Sequence, residues 1–175
     1  EVFFTIDPTL LVEAHFFDGW SAVKGDILAC VSGSLKSILM AERVALNFFQ
    51  RMCGIATLTR RYVDAVEGTG VKIMDTRKTT PTLRCLEKYA VTAGGGTNHR
   101  FGLYDQVLIK DNHITAAGSI SRAVEKVKKT VPRWIRIEVE TKNLEEVREA
   151  VAAKVDIIML DNMGIDSMKE AVSII

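Results

Sequence analysis

The residues with chemical capacity fall in short polar clusters: Asp75-Thr76-Arg77-Lys78, His99-Arg100, Lys110-Asp111, Glu138 with Glu140, and Asp161-Asn162. Arg77 and Arg100 offer planar forks that grip carboxylates through paired hydrogen bonds, whereas Lys78 and Lys110 act as point charges. His99 donates a hydrogen bond or carries a charge near neutral pH. This cationic set suits a small polyanion. Glu140 and Asp161 suit ribose hydroxyls or a Mg2+ ion that keeps most of its waters. One mouth holding both signs of charge implies two different substrates.

The elements that must hold these groups are legible from periodicity and turn signals. Residues 1–37 are short apolar runs broken at Asp7-Pro8, Asp18-Gly19, Lys24-Gly25 and Ser32-Gly33, which predicts a small β-rich layer beginning with a strand at residues 1–4. From 37 to 66 the apolar residues recur at helical spacing, with Val44, Phe48, Met52, Ile55, Leu58 and Tyr62 on one stripe. Two helices hinged at Cys53-Gly54 are expected there. After Gly68 the pattern alternates strand and helix. Strands are predicted at 71–74, 106–109, 134–139 and 157–160, with helices at 82–91, around Ile120, Ala123, Val124 and Val127, and at 167–175. Asn143 followed by Glu146 is a capping-box signature for another helix, with Leu144, Val147 and Val151 as its buried stripe.

Successive strand–helix units of this length require parallel strands and right-handed crossovers. No glycine-rich nucleotide fingerprint follows a strand, so a barrel or partial barrel fits better than an open doubly wound sheet. Each predicted strand runs into charged residues. In β/α barrels the reactive groups sit at the carboxyl ends of the strands, where the loops converge. Polar residues begin the loop after almost any strand; four charged ends in one architecture point to a site.

Other signals are weaker. Gly94-Gly95-Gly96 can form a site-shaping turn or bring the backbone close to a neighbour. His99 and His113 lack zinc-ligand spacing, and no direct metal ligand set is expected. His15 reads as a strand or surface residue, Cys85 as a core residue of its helix, and Lys126, Lys128 and Lys129 as a solvated helix face. The formal net charge of +1 gives no reason to expect a nucleic-acid partner. Three scattered cysteines without a C-x-x-C pair read as reduced thiols. With no secretory pattern and no apolar run long enough to span a bilayer, a cytoplasmic protein is expected.

In order along the chain stand Glu42-Arg43-Val44-Ala45-Leu46-Asn47, Gly54-Ile55-Ala56-Thr57, Thr76-Arg77-Lys78-Thr79-Thr80-Pro81 and Gly94-Gly95-Gly96-x-x-His99-Arg100. Leu108-Ile109-Lys110-Asp111-Asn112-His113, Glu138-Val139-Glu140 and Leu160-Asp161-Asn162 follow. This ordered set resembles nicotinate-nucleotide pyrophosphorylase (carboxylating), the quinolinate phosphoribosyltransferase family, over nearly the whole chain. The resemblance implies an enzyme of NAD biosynthesis that converts quinolinate and phosphoribosyl pyrophosphate to nicotinate mononucleotide, pyrophosphate and CO2. It implies an α/β fold: an N-terminal α/β sandwich, here residues 1–67, and an incomplete α/β barrel beginning at 68–175. It implies that Arg77, Lys78, His99, Arg100 and Lys110 surround the quinolinate carboxylates. Glu140 and Asp161 would hold the phosphoribosyl part with Mg2+, and Lys110, Glu140 and Asp161 would serve the reaction itself. Glu138 shares a strand face with Glu140. A homodimer is implied, with Arg43 reaching the site of the partner subunit, and some members assemble further into hexamers.

Cys53 stands where Ser commonly precedes Gly-Ile-Ala-Thr in the family, a mild departure. Both ends read as interior points of a longer chain, and the glycine-bearing phosphate loops of the family are not in this stretch. The isolated stretch is therefore expected to be inactive. A transport-associated or non-catalytic binding protein of the same fold is the alternative; retention of every basic residue of the dicarboxylate set weighs against it.

Overall fold

A computed structural model describes residues 1–175, which gather into two compact units, Glu1–His99 and Arg100–Ile175. The first begins with a helix, α1 (Val2–Ile6), where the sequence suggests a strand. Val2, Phe3 and Asp7 are half-buried while the residues between them are exposed. That is a helical step; a strand would bury alternate residues. The turn closes through the N–H groups of Thr5 and Asp7, which donate to the carbonyls of Glu1 and Phe3. The expected β-rich layer reduces to one antiparallel ladder, β1 (Leu11–Ala14) with β2 (Ala29–Ser32), in which Leu11 faces Ser32 and Ala14 faces Ala29.

A single helix, α2 (Leu35–Ala65), replaces the two expected, and its 31 residues run straight through Cys53-Gly54. A glycine inside a helix costs only about 1 kcal/mol relative to alanine, which does not interrupt a ladder this long. The stripe turned inward is also rotated from the expected one. Ala41, Ala45, Met52, Ile55, Thr59 and Val63 face in, while Val44, Phe48, Leu58 and Tyr62 are exposed. Small residues win the inner face because α3 (Arg84–Ala93) and its glycine terminus come close to it. A Cβ on Gly94 would press on the carbonyl of Ala56 and stand 2.7 Å from Thr59 Cβ. Gly95 has a φ of +88°, which turns the chain out of α3. The glycine run thus serves helix packing and helix termination.

The predicted strand at 71–74 is reduced to one parallel bridge between Met74 and Thr97, closed by Thr97 N–H to Ile73 O at 2.8 Å and Asp75 N–H to Thr97 O at 3.2 Å. Val71 and Lys72 find no partner strand within this unit, so no ladder develops. No helix of the chain is long and apolar enough to cross a membrane.

The second unit is built as strand–helix repeats: β3 (Val107–Ile109), α4 (Asp111–Ala117), α5 (Ile120–Thr130), β4 (Ile137–Thr141), α6 (Leu144–Ala152), β5 (Ile157–Leu160) and α7 (Ile165–Ile174). Its three strands are parallel and lie in sequence order, β3-β4-β5, the winding of an α/β barrel. Val107, Ile109, Ile137, Val139 and Ile158 share the face that packs on Ile120, Ala123 and Val124 of α5 and Ala150 of α6. Ile120 and Val139 are fully buried, each contributing about 1.5–3 kcal/mol by leaving water. α4 is an addition to the expected elements. β4 starts three residues later than expected, because residues 132–135 form a turn closed by Ile135 N–H to Pro132 O and Trp134 is exposed. α6 begins as expected: Asn143 Oδ1 accepts from Glu146 N–H at 2.9 Å, while Glu146 Oε2 reaches one residue further back to Lys142 N–H. Ala150, not Val151, completes the inner stripe with Val147.

Candidate functional site

In the first unit the candidate residues lie on two segments, 75–81 and 97–99, that flank α3 in sequence. The first segment bends tightly: Lys78 N–H donates to Thr76 Oγ1 at 3.0 Å and Thr79 N–H to Arg77 O at 2.9 Å. Side chains of α3 hold it from one helix face. Arg84 donates to Thr79 Oγ1 at 3.1 Å and to Arg77 O at 3.2 Å, and Glu87 Oε2 accepts from Thr80 N–H at 3.1 Å. Arg51 of α2 reaches over to Glu87 Oε1 (2.5 Å) and Thr80 Oγ1 (2.5 Å). Burial pushes the Glu87 carboxyl up, but the hydrogen bonds from Arg51 and Thr80 outweigh it and hold the group below its ordinary value. On this braced loop Lys78 is exposed, and Arg77 has a buried Nε with no hydrogen-bond partner. A buried guanidinium nitrogen without an acceptor is costly, and a ligand carboxylate is the kind of group that would satisfy it.

His99 is held by its main chain. Its N–H donates to Asp75 Oδ1 at 2.9 Å, and its carbonyl accepts from Lys88 Nζ at 3.0 Å. Lys88 is itself buried and ion-paired with Asp75.

In the second unit the sheet register decides which side chains share a face. Leu108 is opposite Glu138 and Glu140 opposite Met159, so Gln106, Lys110, Glu138, Glu140 and Asp161 line the face away from the helices. Lys110 Nζ bonds Glu140 Oε2 at 2.7 Å, and Gln106 Nε2 donates to the buried Glu138 at 2.6 Å. Asp161 extends the ladder through its N–H to Thr141 O at 2.8 Å and accepts from Asn162 Nδ2 at 2.9 Å. Arg100 donates to Gln106 O at 3.3 Å. Asp105 caps the turn after it through Phe101 N–H and Gly102 N–H. Burial raises the Asp105 carboxyl, but these bonds and the Arg100 charge hold it below its usual range. At the same strand ends Lys142 pairs with Asp111 at 3.0 Å, which lowers the Asp111 carboxyl and raises the Lys142 ammonium.

The structure therefore brings Lys110 and Glu140 into contact and sets Glu138 and Asp161 on the same face. Arg43 is exposed on α2 with no ion pair or hydrogen bond. His113 is a capping group: its Nδ1 accepts from Lys110 N–H at 2.9 Å. Lys128 does more than face solvent, donating to the carbonyls of Ala153 and Lys154 beyond α6. Cys85, expected in the core, is exposed, as are Cys30 and Cys53.

Sequence reasoning misses Arg84, Glu87, Lys88, Gln106 and Lys142, and it names Asp75 without its task of holding Lys88 and the His99 backbone. For α3 the misreading has one cause. The helix packs its charged side inward, burying or half-burying Arg84, Glu87 and Lys88, and leaves Cys85, Leu86 and Tyr89 outside. The available signal is the i, i+3, i+4 spacing of those three charges, which an ordinary amphipathic reading assigns to solvent.

No group of three or more His, Cys, Asp or Glu side chains is placed to ligate a metal. Single carboxylates such as Glu140 and Asp161 suit only a Mg2+ that keeps most of its waters.

Residues 55–175 match the quinolinate phosphoribosyl transferase C-terminal domain family, and residues 1–53 match the corresponding N-terminal domain family. A probable nicotinate-nucleotide pyrophosphorylase (carboxylating) of Synechocystis sp. is 50% identical over 174 residues, which is 99% of this chain and 59% of that protein. The similarly named protein of Bacillus subtilis is 48% identical, over 97% of this chain and 58% of its own length. The solved nicotinate-nucleotide pyrophosphorylase of Francisella tularensis superposes with a TM-score of 0.96 at 43% identity, covering 99% of this chain and 62% of that one. The chain thus spans about three-fifths of the length of these relatives.

Proposed function

Because the chain belongs to the quinolinate phosphoribosyl transferase family, we propose that the full-length protein joins quinolinate to the ribose of phosphoribosyl pyrophosphate and decarboxylates the product to nicotinate mononucleotide. The observation that carries this reading is the braced loop that presents Lys78 together with an Arg77 whose buried Nε lacks an acceptor. Such a loop is built for a carboxylate-bearing ligand.

In the reaction the pyridine nitrogen attacks C1′ of the ribose and the bond to pyrophosphate breaks. The carboxylate next to that nitrogen then leaves as CO2, and a proton takes its place on the ring carbon. Arg77, Lys78, His99, Arg100 and Lys110 bind the two carboxylates of quinolinate. Glu140 and Asp161 face the ribose and stabilise the positive charge that develops as pyrophosphate departs. Lys110, paired with Glu140 at 2.7 Å, orients that carboxylate and balances its charge. No covalent nucleophile is needed; positioning and electrostatics carry the rate. Glu140 and Asp161 are the residues that would hold a Mg2+ ion through its water shell, and the ion would supply positive charge to the departing pyrophosphate.

The protein works in the cytoplasm as a homodimer in which Arg43 serves the partner's site. Supporting this, Arg43 stands exposed on α2 among Leu39, Met40, Val44 and Leu46, large apolar side chains that are also exposed. Titration of full-length protein with quinolinate, followed by assay of nicotinate mononucleotide from both substrates, tests the whole reading. Saturable binding that Arg100→Ala abolishes, together with product formation, is expected. Binding without product would make the protein a ligand-binding relative, and no binding would end the proposal.

A further inference from the structure

We propose that Lys88, through its ion pair with Asp75, is a positioning residue for His99. This rests on the reading of His99 as a quinolinate-binding group. Lys88 is only 2% exposed, although it lies on a helix with an open side where a lysine would stay hydrated at no cost. Burying an ammonium and a carboxylate gives no advantage in stability over two apolar side chains of similar volume. What the pair holds is therefore the informative feature.

It holds one short stretch of backbone. Asp75 Oδ1 takes the N–H of His99 and Lys88 Nζ donates to the carbonyl of the same residue, so both main-chain polar groups of His99 end on this pair. The neighbouring Asn98 amide, with its nitrogen turned toward them, donates to Asp75 Oδ2 at 2.6 Å and to Lys88 O at 3.0 Å. Asp75 also begins the segment that carries Arg77 and Lys78, and its own N–H is bonded to Thr97 O. One buried pair thus ties the segment bearing His99 to the segment bearing two further cations, with α3 as the rigid bar between them. The parallel bridge at Met74–Thr97 joins the same two segments one step earlier.

Lys88 has no other evident task. Its ammonium is taken up by Asp75 and the His99 carbonyl, so it acts through His99. Removing its charge leaves the His99 carbonyl without its donor and loosens the main chain that carries the imidazole. Loss of one hydrogen bond to a charged ligand group weakens a site by roughly tenfold to a hundredfold.

The test uses full-length protein and two variants, Lys88→Met and the neutral pair Asp75→Asn with Lys88→Met. The second avoids a stranded buried carboxylate and decides the matter if the first does not fold. Far-UV circular dichroism establishes folding, quinolinate titration gives Kd, and the imidazole 15N resonance of His99, assigned by its loss in His99→Asn, reports position without any ligand. Folded variants with a Kd raised about tenfold or more and a shifted or broadened His99 resonance are expected. A folded variant with unchanged Kd and an unmoved resonance overturns the proposal. If wild-type protein itself does not bind quinolinate, the functional reading fails, while the His99 resonance still decides the positioning role.

Discussion

Replacing Glu87 by Gln removes one negative charge from the brace of the Arg77-Lys78 loop and changes almost nothing in volume. Glu87 Oε1 accepts from Arg51 and Oε2 accepts from Thr80 N–H at 3.1 Å, so its two oxygens face donors in both directions. A glutamine amide has one oxygen and one NH2 group. Whichever way it turns, one donor is met by another donor. A lost charge-assisted hydrogen bond costs about 1.5–3 kcal/mol when buried. Glu87 is 12% exposed but Arg51 is 47% exposed, so water screens part of the interaction. The expected loss is then about 1–2 kcal/mol, or a fall of about 2–8 °C in the thermal midpoint. pH supplies an independent check. The folded-state pKa of Glu87 is depressed, so its stabilisation is fully present above the ordinary carboxylate value of 4.5 and is lost as pH falls through the lowered value. Thermal unfolding of wild-type and Glu87→Gln full-length protein should differ steadily near neutrality and converge below that point. A difference under about 0.5 kcal/mol at pH 7, or one that persists unchanged in acid, would refute the assignment of Glu87 as the anionic brace.

Two further substitutions examine how the elements are set. Gly94→Ala places a methyl group 2.7 Å from Thr59 Cβ and against the Ala56 carbonyl, so it should destabilise by about 1–3 kcal/mol in chemical denaturation and separate α3 from α2. A neutral effect would mean that the two helices are not packed this closely. Asn143→Ala removes the side chain that caps α6 through Glu146 N–H and should cost about 1 kcal/mol, whereas Asn143→Asp should be nearly silent. Equal losses from both changes would contradict the cap.

Much of the second unit is legible in the amino-acid sequence because its buried sheet and helices obey simple periods. The run 157–160 is β5 without a shift in boundary, Asn143 is the cap of α6, and Glu138 with Glu140 share one face because strand side chains alternate. The first unit is harder to read. The residues at 71–74 have strand character, but a strand needs a ladder, and only Thr97 offers a backbone partner. Residues 1–6 have the composition of a strand and fold as a helix because α2 supplies a surface for one side of it.

By itself the sequence determined which residue types are available for an anionic ligand, the order in which they occur and the elements of the repeating α/β unit, since composition, local spacing and turn chemistry encode all three. Tertiary structure alone decided the orientation of α3 and the support behind the site. A helix that exposes Leu86 and Tyr89 and turns Arg84, Glu87 and Lys88 inward cannot be told from an ordinary amphipathic helix by its period. The period is the same, and only the partners differ. Those partners, Thr79, Thr80, Asp75 and the backbone of His99, come from segments brought to α3 by folding, and they turn three charges that would otherwise be solvated into the frame behind the segments that carry Arg77, Lys78 and His99.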